Sequence, residues 1–187
     1  MGTSDSTPET RDGVPSWAHV TEQRRAHIAR VAALLAEWAD AAHTPEGERD
    51  RWLRAAYLHD AMKDAPTDLL RELTPDFDGP DKLRHGPAAA AMAERLGERD
   101  TGVLAAVRYH SMGSTTWDRV GRMLYLADYL EPGRGHRPPE RDAWVRRIPE
   151  DPETVLREVA ASRLCDNVRR GWPLVGQTVD FWNDLVS

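Results

Sequence analysis

The residues that could do chemistry are histidines and aspartates standing where apolar side chains belong. His27 lies on one helical stripe with Val31, Leu34 and Trp38, at steps of four, three and four. His59 follows Trp52 and Ala56 at steps of four and three, and Lys63 extends that stripe by four more. His110 follows Val103 and Val107 in the same rhythm, and Asp128 stands four residues after Leu124 in the apolar run VGRMLYLADYL. Such spacing puts each group on the inward face of its helix. Taken singly, an inward histidine is commonly a hydrogen-bonded core residue. An inward aspartate is harder to place, because a buried carboxylate is costly unless a cation compensates it. Four helices each delivering such a group favour a shared metal centre, since one cation or a pair satisfies them all. Asp60 beside His59, and His85 at a helix end, enlarge the donor set.

The elements that must position these groups read as helices throughout. The three-four periodicity begins at Thr21 and ends at Thr44-Pro45-Glu46-Gly47; a second helix is expected from about Glu48 to Asp64, before Pro66. Loop residues fill Thr74 to Pro80, and a third helix follows His85-Gly86-Pro87 with an alanine-rich run. Further helices are expected over about Asp100–His110, Trp117–Leu130, Glu153–Arg170 and Gly176–Ser187, with a polar, proline-bearing stretch reaching Pro149. No convincing alternating strand and no internal repeat is present in the sequence. The expected fold is all-α: a mobile tail over residues 1–16, rich in Ser, Thr, Pro and charge, and one domain over residues 17–187.

The chain has 187 residues, enough to bury about 70% of its unfolded surface in one domain. It carries a net charge of -6, which disfavours a general nucleic-acid surface but leaves room for a small anionic substrate. Of its 25 basic residues only Lys63 and Lys82 are lysines. The single cysteine, Cys165, reads as a small buried side chain in a reducing compartment. With no apolar leader in the first 16 residues and no run of 18 apolar residues, a soluble, cytoplasmic protein without membrane contact is expected. His19, His43 and His136 read as surface residues, and the seven tryptophans mostly as core, with one available to stack on a nucleobase.

Taken together, His27, the segment Leu58-His59-Asp60-Ala61-Met62-Lys63-Asp64, His85-Gly86, Tyr109-His110 and the segment Ala127-Asp128-Tyr129-Leu130-Glu131-Pro132-Gly133-Arg134 resemble the HD-domain metal phosphohydrolases. Within them the chain is similar to the YqeK family of symmetrical bis(5'-nucleosyl)-tetraphosphatases, from about residue 20 to Asn183. The resemblance implies a helical HD-domain bundle with two metal ions, iron first, with manganese, cobalt or zinc as alternatives. The implied ligands are His27, His59, Asp60, His85, His110 and Asp128, with Asp60 bridging. It also implies that Arg24, Lys63 and Arg134 hold phosphates and that Gly113 lies in the nucleotide loop. Ile28, Arg25 and the turn Ser111-Met112-Gly113 depart from the family pattern, where a hydroxyl, an aromatic ring and a Thr-rich turn are expected; this bears on substrate preference rather than on metal binding.

Four neutral imidazoles and two carboxylates carry about -2 and two divalent ions about +4, so such a centre is locally cationic inside an acidic protein. The implied reaction is attack of a metal-bridging hydroxide on an inner phosphorus of a dinucleoside tetraphosphate such as diadenosine tetraphosphate. Two nucleoside diphosphates (ADP) leave, with Asp60 and Lys63 as catalytic groups. Hydrolysis of another nucleotide, a nucleoside monophosphate or a signalling nucleotide, is the alternative chemistry. A non-catalytic nucleotide-sensing module is the alternative class. The partner is a small-molecule nucleotide, not nucleic acid or membrane, and a homodimer stays open.

Overall fold

Helix α1, Glu22–Ala41, starts where Thr21 turns its hydroxyl back to accept the Arg24 amide at 3.3 Å, and it buries His27, Ile28, Val31, Leu34, Leu35 and Trp38 along one face. The computed structural model describes residues 10–135 and 138–187, so His136 lies outside the described residues, as do residues 1–9 of the tail expected over residues 1–16. The remaining helices are α2 (Glu46–Leu58), α3 (Thr67–Leu73), α4 (His85–Arg95), α5 (Thr101–Tyr109), α6 (Arg119–Leu130), α7 (Arg141–Arg147), α8 (Pro152–Arg169) and α9 (Gly176–Val186). The all-α expectation holds. The one sheet among the described residues is a two-residue antiparallel hairpin, β1 (Thr10–Arg11) with β2 (Val14–Pro15). Its turn takes positive φ at Asp12 and Gly13, and Val14 is buried, so the stretch from Thr10 is a structured hairpin where a mobile tail was expected.

Helix α6 is the centre of the bundle. Asp118 caps it through the Val120 amide at 3.0 Å, and every residue from Val120 to Leu130 except Arg122 is buried. It packs against α1, α2, α5 and α8, while α4 lies on α5. The alanines Ala88, Ala89, Ala90 and Ala93 are all buried on α4, and Gly86 permits the approach to α5. A Cβ at Gly86 would lie 2.9 Å from the Arg108 carbonyl and 3.0 Å from that of Val107. Larger side chains there would push His85 away from His110.

The structure departs from the sequence expectation at further points. Helix α2 stops at Leu58 rather than Asp64, because the following backbone is drawn to other partners: the His19 amide donates to the Ala61 carbonyl at 2.7 Å, and the Asp64 amide to the His19 carbonyl at 3.1 Å. The intervening residues close three-residue turns, Ala61 N to Leu58 O and Lys63 N to Asp60 O. Two seven-residue helices, α3 and α7, add to the expected set; each is under two turns long and announces itself only by the buried pairs Leu70–Leu73 and Arg141–Trp144. Cys165 is exposed rather than buried, on the outer part of α8. Trp38, Trp52, Trp117 and Trp144 are core residues, but Trp172 is 46% exposed. No helix among the described residues is long and apolar enough to cross a membrane.

Gly113 follows α5 with φ +91°, and a Cβ there would overlap the ring of Phe181, the buried anchor of α9. Gly113→Ala combines left-handed strain with overpacking, so a loss of about 3 kcal/mol in urea unfolding is expected; an unchanged midpoint would contradict the packing described.

Candidate metal centre

His27 projects from the second turn of α1 and Asp128 from the last turn of α6, whereas three of the other four groups sit at helix ends. His59 caps the end of α2 with Asp60 next to it, His85 opens α4, and His110 caps the end of α5. All six are buried. Their ring nitrogens converge: His59 Nε2 lies 3.3 Å from His27 Nε2, and His85 Nε2 lies 3.1 Å from His110 Nε2. Asp60 stands between the two pairs. Its Oδ1 faces His85 at 3.2 Å and His110 at 3.4 Å, and its Oδ2 faces His27 at 3.6 Å and His59 at 3.7 Å. Asp128 Oδ1 completes the first pair, 3.2 Å from His27 and 3.9 Å from His59. The result is two metal-competent groups, His27–His59–Asp60 and Asp60–His85–His110, sharing one carboxylate.

The imidazoles are held in the ligating tautomer. His59, His85 and His110 each direct Nδ1 at the carbonyl three residues earlier, Ala56 at 2.7 Å, Lys82 at 3.0 Å and Val107 at 2.8 Å. A carbonyl only accepts, so Nδ1 carries the proton and Nε2 presents its lone pair to the centre. His27 differs. Its Nδ1 donates to Glu131 Oε1 at 3.1 Å, and Glu131, buried after the end of α6, is gripped through Oε2 by Arg30 Nε at 2.5 Å and the Gly133 amide at 2.6 Å. Burial pushes the His59 imidazole down to about 4, with the nearby His110 and His27 rings adding to the effect and Asp60 opposing it. Burial likewise lowers His85. At His27 burial acts downward, but Asp128, Asp60 and Glu131 outweigh it and leave its pKa raised. Burial would raise Asp60 and Asp128. The surrounding imidazoles at Asp60, and Arg134 with His27 and His59 at Asp128, hold both well below the usual carboxylate range. Ionised carboxylates, lone pairs on Nε2 and no sulfur make a donor set that fits a pair of transition-metal ions.

A cavity of about 380 Å³ opens over this cluster, with Asp60, His110 and Asp128 in its wall. Arg24, Lys63 and Arg134, the expected phosphate-holding residues, line it too. Arg24 Nη1 donates to Asp60 Oδ2 at 2.7 Å, Arg134 donates to the carboxylate and carbonyl of Asp128, and Lys63 Nζ sits 3.2 Å from His85 Nε2. Burial lowers the Lys63 pKa, with Asp60 opposing, while the charge of Asp128 raises that of Arg134. Gly113 is not brought to the cavity wall; it packs against Phe181. Four residues that sequence reasoning left without a role are placed at or behind the site. Glu131 backs His27, and Arg163, Lys82 and Trp172 line the cavity, with Lys82 Nζ 4.2 Å above the Trp172 ring. Arg163 carried a signal: it continues the stripe Leu156, Val159, Ala160 at steps of three and four from the last two.

The HD domain profile matches residues 24–133, well over half of the chain and all six clustered groups. The chain belongs to the HD domain family. Its relatives include the symmetrical bis(5'-nucleosyl)-tetraphosphatases of three bacteria. That of Staphylococcus aureus is 31% identical over 60% of this chain and 61% of the relative, so that match spans less than two thirds of its length. That of Bacillus subtilis is 28% identical over 90% of this chain and 92% of the relative, and that of Halalkalibacterium halodurans 26% identical over 90% and 91%. A crystal structure from Clostridium acetobutylicum, described as a predicted HD superfamily hydrolase involved in NAD metabolism, shares the fold with a TM-score of 0.77. It is 23% identical, over 89% of this chain and 90% of that one.

A carboxylate behind a ligating imidazole raises its basicity and fixes its orientation, and its loss typically costs about 10- to 100-fold in metal affinity. Glu131→Gln is therefore expected to weaken metal retention against a competing chelator by about that factor with helicity preserved. Equal retention in both proteins would remove Glu131 from the centre.

Proposed function

We propose that this chain is a metal-dependent phosphohydrolase that cleaves dinucleoside tetraphosphates symmetrically, diadenosine tetraphosphate to two molecules of ADP, with iron as the resident metal. The observation that carries this reading is the pair of metal-competent groups sharing Asp60 within a cavity that Arg24, Lys63 and Arg134 also line. The symmetrical tetraphosphatase activity by which the three bacterial relatives are named supports the choice of substrate. The mixed nitrogen and oxygen donors suit iron, manganese, cobalt or zinc, and iron is the reading the family resemblance favours.

Two divalent ions held by His27, His59, Asp60, His85, His110 and Asp128 would lower the pKa of water and clamp phosphoryl oxygens. The chain's own part is electrostatic and positional. A tetraphosphate bridge carries about four negative charges, and the cationic side chains in the cavity wall attract it against the overall acidity of the protein. Lys63, held beside His85 by the turn through Asp60, meets charge that grows on the transferring phosphoryl group. Arg134, anchored on the end of α6, does the same for the departing diphosphate. Arg24 bonds the shared carboxylate through Asp60 Oδ2 and borders the same anion path. Cleavage at the central bridge gives identical halves.

Turnover of diadenosine tetraphosphate followed by chromatography is expected to give ADP alone; AMP with ATP would reject symmetrical cleavage. Asp60→Ala should lose both bound metal and turnover. Lys63→Met should keep its metal while kcat falls about 10²- to 10³-fold, the usual loss for one donor to a developing anion. Metal analysis of anaerobically purified protein tests iron directly.

A further inference from the structure

Arg163 is the guanidinium in this cavity that the assignments above leave without work. It projects from α8, where the apolar face Val155, Leu156, Val159, Ala160 gives way to Arg163, Asp166 and Asn167 on the cavity side. Its side chain is only 18% exposed. The guanidinium lies over the Tyr125 ring at 4.2 Å and faces Tyr129 at 5.4 Å, so aromatic surfaces fix its plane without neutralising it. Nη2 reaches the Ser111 carbonyl at a long 3.4 Å, and Nη1 is buried with no hydrogen-bond partner among the described residues. Its ion pair with Asp128 is a long one, Nη1 to Oδ2 at 4.0 Å, beyond hydrogen-bond reach. Arg24 and Arg134, by contrast, each hold a carboxylate of the centre directly.

A buried guanidinium with unmet hydrogen-bonding capacity is costly, and the structure retains it beside Asp128 and the Ser111 turn, whose hydroxyl lies 3.5 Å from His85 Nε2. We propose that Arg163 is a phosphate-binding residue that takes the phosphoryl group next to the one held at the metals, so that it selects ligands with at least two linked phosphates. The two groups a bisphosphonate or pyrophosphate presents then fall on different partners: the first on the metal centre with Lys63, the second on Arg163. A ligand with a single phosphoryl group engages only the first. This rests on the phosphohydrolase reading only in taking the ligand to be a chain of phosphates.

The test measures equilibrium binding to the metal-loaded protein of orthophosphate and of methylenebisphosphonate, which cannot be hydrolysed. Arg163→Met keeps an extended side chain over the two tyrosines, and Arg163→Lys keeps the charge. The expected result is that Arg163→Met binds the bisphosphonate about tenfold more weakly, the size of one charge-assisted hydrogen bond, while orthophosphate binding changes less than twofold, with partial recovery in the lysine variant. Metal content and melting temperature are expected to match the parent. Unchanged bisphosphonate binding, or an equal loss for both ligands, overturns the assignment. Failure to hydrolyse dinucleoside tetraphosphates, with the bisphosphonate difference intact, would sink the substrate reading above and leave this one standing.

Discussion

Everything in this molecule is arranged around one carboxylate that would be untenable alone. Asp60 is 3% exposed, and both of its oxygens are surrounded by imidazole nitrogens at 3.2–3.7 Å. An isolated ionised group in that position faces a desolvation cost that no single contact offsets. The surrounding design answers this from both sides, with His27 and His59 on one oxygen, His85 and His110 on the other, and Arg24 as the cationic neighbour from the cavity. The six clustered groups arrive from α1, α2, α4, α5 and α6, so the cluster is assembled only when those five helices are packed together. Helix-helix packing, the alanine face of α4 and the bare Gly86 all serve that convergence.

Helix ends carry much of the geometry. A histidine at the end of a helix can turn Nδ1 back to a carbonyl of the last turn, and His59 and His110 do so. The carbonyl supplies orientation without adding charge. His27, inside its helix, finds its own helical carbonyls already engaged in the ladder and takes a carboxylate from another element instead. The two halves of the centre are therefore chemically unequal: the His27 half carries Asp128 and, behind it, Glu131, while the His85–His110 half has Lys63 at its edge.

How much of this was legible in the sequence follows from what periodicity can encode. His27 and Asp128 lie inside long regular helices, so their inward direction could be read from the steps to Val31 and Leu124. His59 reads as inward for a reason that only partly applies, since the helix ends at Leu58 and Lys63 reaches the site through a turn rather than along a stripe. That ending depends on hydrogen bonds to His19, some forty residues earlier, which no local pattern reveals. Glu131 was hidden for the same reason: its partner on α1 is 104 residues away, and its own surroundings, Glu-Pro-Gly, resemble a simple helix stop. The helices α3 and α7 are too short for a three-four pattern to repeat, and Gly113 carries a backbone demand where sequence resemblance implied a ligand contact.

The backbone pairing of His19 with Ala61 and Asp64 gives the segment before α1 a second duty. Asp64 also accepts the Thr21 amide and hydroxyl, at 2.7 and 3.0 Å, so the start of the first helix and the turn carrying Asp60 are sewn together at four points. Mechanically this is a hem: a strip of chain folded over and fastened so that the edge beside it does not fray. The turn through Asp60 has no helical ladder of its own to keep it straight, and the stiffness of the shared carboxylate is borrowed from His19 and Thr21, which lie outside the His–Asp cluster. Sequence change around residues 19–21 would thus be registered at the centre as a loss of alignment rather than as a loss of any ligand.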